Sequence, residues 1–236
     1  MWRIRNFVRV PVLFGTLGLF AASAHSGETA ISPVSACVSV APVPPRHYSE
    51  HVDGMDHALG VPDDFAREHA LSPVPEPSAL VTAGRDIRGR PVKLDPHAAV
   101  ALQEMLVAAE AQGVTLQIVS GYRSADYQAG LLRDKLRRGM KLGSALRINA
   151  PPGYSEHQSG CAVDLTTPRS KAADVSFART NAYAWLTKHA AEYGFHLSYP
   201  PDNPHGIEFE PWHWKYKQSG SAPGLDRHPG ASRDPF

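Results

Sequence analysis

The chain has 236 residues, of which 42% are hydrophobic and 20% charged, with a formal net charge of +1. That length accommodates one ordinary domain with extensions, and that composition excludes a wholly disordered polymer. A charge so close to zero removes the electrostatic case for nucleic acid as a partner.

The N-terminus reads as an export signal. Arg3, Arg5 and Arg9 precede an apolar run from Val10 to Ala21, and Ala22-Ser23-Ala24 supplies small residues for cleavage. The run is shorter than the roughly 20 residues a membrane span needs. Residues 1–24 are therefore expected to be a signal peptide, and the mature chain to be periplasmic or secreted, with no stable membrane insertion after cleavage. Residues 25–80 contain Pro42, Pro44, Pro45, Pro73, Pro75 and Pro77, which break long elements. They are expected to form a Pro-rich leader with one short helix near Asp63–His69. A compact domain is expected over 81–217 and a loose tail, rich in Gly, Ser, Pro and Arg, over 218–236.

Within the domain, Asp95-Pro96 starts a helix, with Asp as N-cap and Pro at the first position. Leu102, Met105, Leu106 and Ala109 recur at helical spacing until Gly113. Val114–Ser120 reads as a strand. Ser124 caps a second helix, Cys161–Thr166 reads as a strand, and Thr180 caps a third helix that Gly194 ends. Phe195–Tyr199, Ile207–Glu210 and Trp212–Tyr216 are further strand segments. Helices and strands do not alternate regularly, which predicts an α+β fold around a small antiparallel or mixed sheet flanked by helices. Cys37 and Cys161 form either a disulfide, which an oxidising compartment permits, or a pair of free thiols with Cys161 buried as a small hydrophobe.

Two segments about fifty residues apart carry the chemistry. Ser155-Glu156-His157-Gln158-Ser159-Gly160-Cys161-Ala162-Val163-Asp164 offers a His and an Asp, and Glu210-Pro211-Trp212-His213-Trp214 offers a Glu and a His. Two imidazoles and one carboxylate make a three-ligand set for catalytic zinc, with a further carboxylate as base. On this reading His157, Asp164 and His213 hold one zinc ion, Glu210 moves the proton of the attacking water, and Arg123 balances an oxyanion or grips a substrate carboxylate. Each pair alone is a weak signal; their conjunction, with Gly160 and two Trp residues close by, is stronger. His189, Glu192 and His196 lack zinc-protease spacing and read as solvated or capping groups. Trp212 and Trp214 are expected to pack on the face opposite His213. Had the site been purely structural, Cys161 would have been the nearest fourth ligand, but its alternation with Ala162 and Asp164 points it away.

The pattern Ser155-x-His157-x-x-Gly160-x-Ala162-x-Asp164, followed by Glu210-x-x-His213 and preceded by Ser120-Gly121-Tyr122-Arg123-Ser124, resembles the VanY-type zinc D-alanyl-D-alanine carboxypeptidases. These belong with the VanX-like dipeptidases in the LAS group of peptidoglycan peptidases. The likeness runs from about Leu94 to Tyr216 and includes Tyr193-Gly194-Phe195 and Tyr199-Pro200. It implies a hedgehog/DD-peptidase-like fold, one zinc on His157, Asp164 and His213, Glu210 as base, and Arg123 steadying the scissile carbonyl. It also implies that Gln128 and Ser155 line the substrate site. The implied activity is hydrolysis of the C-terminal D-amino acid of peptidoglycan stem peptides; the oligomeric state is open, with a monomer as the default. L,D-carboxypeptidase and endopeptidase activities are alternatives within the group, and an exported dipeptidase ranks lowest. A non-catalytic cell-wall binding module is the alternative from another class, and retention of Glu210 argues against it.

Overall fold

The computed structural model describes Cys37 and residues 46–217. The expected signal peptide (1–24) and tail (218–236) lie outside the described residues. In chain order the elements are helices α1 (Arg46–Leu59) and α2 (Phe65–Glu68), strands β1 (Val81–Arg85) and β2 (Pro91–Leu94), helix α3 (Pro96–Ala111), strand β3 (Gln117–Ser120), and helices α4 (Ala125–Arg137) and α5 (Leu142–Leu146). Strand β4 (Ala162–Thr166), helix α6 (Asn181–His189), and strands β5 (Phe195–Leu197) and β6 (His213–Tyr216) complete the set.

Strands β1 and β2 form an antiparallel hairpin, and the other four form an antiparallel sheet of order β3-β4-β6-β5. This is the α+β architecture expected. The cap chemistry sets the helix starts as predicted. The Asp95 carboxylate accepts from the backbone N–H of His97 and Ala98, Ser124 Oγ accepts from Tyr127, and Thr180 Oγ1 accepts from Tyr183. Every residue of β4 is buried, because β4 is a central strand covered on both faces. Simple alternation of exposure is therefore absent there.

The main core lies between the sheet, α3 and α6. It gathers Leu94, Leu102, Met105, Val163, Leu165, Leu186, Phe195 and Trp214.

Three local expectations differ from the structure. Ile207–Glu210 is not a strand: its backbone is held in a loop, with Glu208 N–H donating to Arg147 O (2.7 Å) and Glu210 N–H donating to Tyr199 O (3.1 Å). Trp212 precedes β6 and packs against the edge of the main core, as Trp214 does within it, but it also lines the cavity beside His213 and so is not turned away from that site as expected. The third difference concerns the leader. Residues 46–80 are not merely a linker before a domain starting at Val81, because α1 has a packed apolar face. Val52, Met55 and Leu59 join Ala125, Ala129, Leu132 and Leu146 of α4 and α5 in a second core. The compact unit thus reaches back at least to Arg46. Cys37 and Cys161 form a disulfide with Cα atoms 5.6 Å apart, which decides between the two cysteine readings. No helix among the described residues is long and apolar enough to cross a membrane.

Candidate metal centre

Sheet register builds the centre. In the β4–β6 ladder Asp164 stands directly opposite His213, and across β3–β4 it stands opposite Ser120. Directly paired residues project to the same face, so strand pairing alone sets Asp164 beside His213. His157 arrives from a different element, the 3-10 turn Glu156–Ser159. That turn ends at Gly160, in the left-handed region at φ 72°. A side chain there would bring its Cβ within 2.9 Å of Asp95 N, whose N–H donates to Gly160 O. Glycine is therefore needed both for conformation and for space.

His157, Asp164 and His213 are all buried, and one donor atom from each lies within 4.8 Å of the others. Asp164 Oδ1 is 3.3 Å from His157 Nε2 and 3.2 Å from His213 Nδ1. Ligands about 2.0–2.1 Å from a tetrahedral ion stand about 3.3 Å apart, so these spacings suit zinc. The ring assignments agree. His157 Nδ1–H donates to Gly121 O at 2.7 Å, which turns the Nε2 lone pair inward, where it has no hydrogen-bond donor. A buried, unpartnered imidazole nitrogen facing a carboxylate and a second imidazole is the signature of a ligand position. The donor set fits the expected ion.

The electrostatics match this. Burial and the nearby Arg123 charge push the His157 pKa down to about 4, leaving its ring neutral. Burial opposes ionisation of Asp164, yet the imidazoles of His157 and His213 hold its carboxyl well below the usual range. Burial likewise opposes a charge on His213, but hydrogen bonds to Asp164 and Glu156 push its pKa up to about 10. Glu210 differs from the other two carboxylates. Burial, aided by the Asp164 charge and opposed by His213, raises its pKa to about 7.

Glu210 Oε2 is 4.0 Å from His213 Nδ1. Arg123 Nη1 lies 3.6 Å from Asp164 Oδ2 and 3.3 Å from Ser120 Oγ, and its Nε has no hydrogen-bond acceptor. Both face a cavity of about 250 Å³ that Gln128, Ser155, His157, Asp164 and His213 also line. Gln128 donates Nε2–H to Ala150 O (2.8 Å) and leaves Oε1 without a partner. All seven residues singled out from sequence therefore meet around one cavity. His189 and Glu192 pair with each other on the surface (2.9 Å), away from it.

Two contributors had no role assigned from sequence. Glu156 accepts from His213 Nε2 (2.9 Å) and from Lys215 Nζ (3.0 Å). Its carboxyl is held well below the usual range by these contacts, against the opposing effect of burial. A signal for it existed: His213 and Lys215 sit two apart on β6 and share a face, so one carboxylate can serve both. Tyr199 stacks its ring 4.8 Å from that of His213, at 33°.

The profile of the VanY family, D-alanyl-D-alanine carboxypeptidase, matches residues 91–219. A D-alanyl-D-alanine carboxypeptidase of Enterococcus faecalis (strain ATCC 700802 / V583) is 32% identical over 135 residues, covering 53% of this chain and 47% of that protein. This chain thus spans about half of that relative's length. The bifunctional D-Ala-D-Ala dipeptidase and D-Ala-D-Ala carboxypeptidase VanXYC of Enterococcus gallinarum is 33% identical over 156 residues, covering 64% of this chain and 80% of that protein. Among solved structures, the LdcB LD-carboxypeptidase aligns with a TM-score of 0.55 and 32% identity, over 60% of this chain and 69% of its own. With more than half of its residues matched by the family profile, the chain belongs to the VanY family of D-alanyl-D-alanine carboxypeptidases.

Proposed function

We propose that the protein is an exported, zinc-dependent D-alanyl-D-alanine carboxypeptidase that removes the C-terminal D-amino acid from peptidoglycan stem peptides. The observation that carries this reading is a buried Glu210 with a raised pKa, facing the same cavity as the His157–Asp164–His213 cluster and Arg123. One zinc ion held by His157 Nε2, Asp164 and His213 Nδ1 would, when bound, supply Lewis-acid polarisation of water and of the scissile carbonyl.

The chain's own groups do the rest. Glu210 takes the proton of the attacking water and delivers it to the leaving amine nitrogen. The Arg123 guanidinium stabilises the negative charge that grows on the carbonyl oxygen. Gln128 Oε1 and Ser155 orient the peptide, and Tyr199 holds the His213 ring in place. Cleavage of residues 1–24 would release the chain to the periplasm or medium as a monomer, and the Cys37–Cys161 disulfide suits such an oxidising compartment.

A second reading is supported by the similarity to LdcB, an LD-carboxypeptidase. The two are separated by incubating purified muropeptide pentapeptide and tetrapeptide with the mature protein, with zinc or with a chelator, and following the products by mass spectrometry. Loss of one D-Ala from the pentapeptide, abolished by chelator and by Glu210→Ala, is the expected result. Trimming of the tetrapeptide alone would replace D,D with L,D specificity. Binding of either stem without cleavage would favour the wall-binding module instead.

A further inference from the structure

The segment before the region that the family profile matches is fastened to both loops that carry the centre. Tyr48, on α1, accepts from Gln158 Nε2 at 2.7 Å and donates to Val74 O at 3.1 Å. Gln158 is fully buried and directly follows His157. Its Oε1 accepts from Gly153 N–H at 2.8 Å, and Gly153 O accepts from Val74 N–H at 2.7 Å. The loop from Gly153 to Ser159 is thereby closed into a ring of hydrogen bonds with residues of the N-terminal segment. Gly153 also lies flush against α1. A Cβ placed there would stand 2.3 Å from Val52 Cγ1, so nothing larger than glycine fits between loop and helix.

A second anchor holds the other loop. The Glu76 carboxylate accepts from Tyr122 Oη (2.8 Å) and from the backbone N–H of Ala125 (2.9 Å), residues on either side of Arg123 and Ser124. It thus occupies the start of α4, where the first-turn N–H groups favour an anion.

From these contacts we infer that the segment 46–76 is a positioning brace for the centre, with Tyr48 and Gln158 setting the His157 turn and Glu76 setting the Arg123 loop. The two anchors act on different parts of the chemistry. Slackening the first moves a metal ligand and the neighbouring Ser155. Slackening the second moves Arg123, which ligates nothing, so handling of the peptide suffers most, while metal affinity changes less, through the Gly121 O and Arg123 N–H contacts with His157 that the same loop makes. The inference rests on the metal-centre reading above, and its primary readout does not depend on which stem bond is cut.

The test compares three variants of the mature chain, each first shown to be fully folded at the assay temperature. Zinc affinity is measured by competition with a chromophoric chelator, and kcat and KM on stem peptide are measured at saturating zinc. Tyr48→Phe removes only the hydroxyl and is expected to weaken zinc binding by about tenfold, at the low end of what losing an outer support of a metal ligand does. Glu76→Ala is expected to lower kcat/KM about tenfold, by analogy with other displaced substrate-positioning groups, and to weaken zinc binding clearly less than Tyr48→Phe does. Met55→Ala, which loosens the packing of α1 without touching either anchor, is expected to lower the melting temperature and leave zinc affinity and kinetics unchanged. The inference is overturned if Tyr48→Phe changes only the melting temperature, or if Met55→Ala weakens zinc as much as Tyr48→Phe does. Normal kinetics for Glu76→Ala would overturn the Arg123 half. If no variant or wild-type protein cleaves peptide, the zinc titrations still decide the His157 half, and the functional proposal fails separately.

Discussion

Removing the Cys37–Cys161 bond tests how far the segment before α1 belongs to the folded unit. The two cysteines are 124 residues apart in sequence. Cross-linking over such a loop removes chain entropy from the unfolded state worth about 5 kcal/mol at 25 °C in the loop-closure treatment. Both sulfurs lie in the main core, so alanine at both positions leaves little polar debt, and the entropic part dominates. For a folded unit of this size, a loss of about 5 kcal/mol lowers the melting temperature by about 10–20 °C. In urea, with a slope of about 2–3 kcal/mol/M, the midpoint falls by roughly 2 M. The assay is equilibrium urea unfolding followed by circular dichroism, on the oxidised protein, the reduced protein and the Cys37→Ala/Cys161→Ala double variant. The reduced and doubly substituted proteins should agree and both fall well below the oxidised one. A difference under about 1 kcal/mol would refute the reasoning, because the unfolded chain would then already hold the two ends together.

Three further outcomes are expected. Glu156→Gln keeps the shape of the group that receives His213 Nε2–H but removes its charge, and should weaken zinc binding by about 10–100-fold in chelator competition; an unchanged affinity would show that the carboxylate does not orient the ring. Gly160→Ala forces a side chain into a left-handed position 2.9 Å from Asp95 N, and should cost about 1–3 kcal/mol in urea unfolding, with a neutral result contradicting the packing described. His213, with its pKa raised to about 10 in the metal-free protein, is protonated at pH 7 and must lose that proton to ligate. Zinc uptake at pH 7 should therefore release protons and tighten as pH rises toward that value. Calorimetry in buffers of different ionisation enthalpy measures the release, and zero release would sink the assignment of His213 Nδ1.

The candidate ligand cluster was legible in sequence because its spacing is tied to local geometry: a turn closed by Gly160, then a strand that projects Asp164. The capped helices were legible for the same reason, since Asp95, Ser124 and Thr180 act within three residues of themselves. Helix α1 was obscured by the prolines just ahead of it and by its many polar residues. Its stripe of Tyr48, Val52, Met55 and Leu59, at spacings of four, three and four, was the signal that identifies it. Glu76 was not legible because its partners lie 46–49 residues away and are chosen by tertiary packing, and for Glu156 the spacing of His213 and Lys215 called for a carboxylate without saying which one, 57 residues away, supplies it. The loop 207–210 has residues suited to a strand, but the backbone N–H groups of Glu208 and Glu210 are taken by the isolated carbonyls of Arg147 and Tyr199 and by no ladder.

The pairing of Asp164 with His213 has a consequence for how such a chain tolerates change. Side chains on a strand alternate in direction, so sliding β6 past β4 by one residue would turn His213 away from Asp164 and dismantle the centre in a single step. The metal cluster is in that sense a gauge of strand alignment. Within the 49-residue separation between the two candidate ligands, α6 and β5 are fixed by the core and by the β5–β6 pairing, but the loops that join them are under no such constraint. Insertions and deletions should therefore accumulate in those loops, at the partly exposed stretch 167–172 and the turn 200–206, while the nine residues of β4 and β6 keep their length.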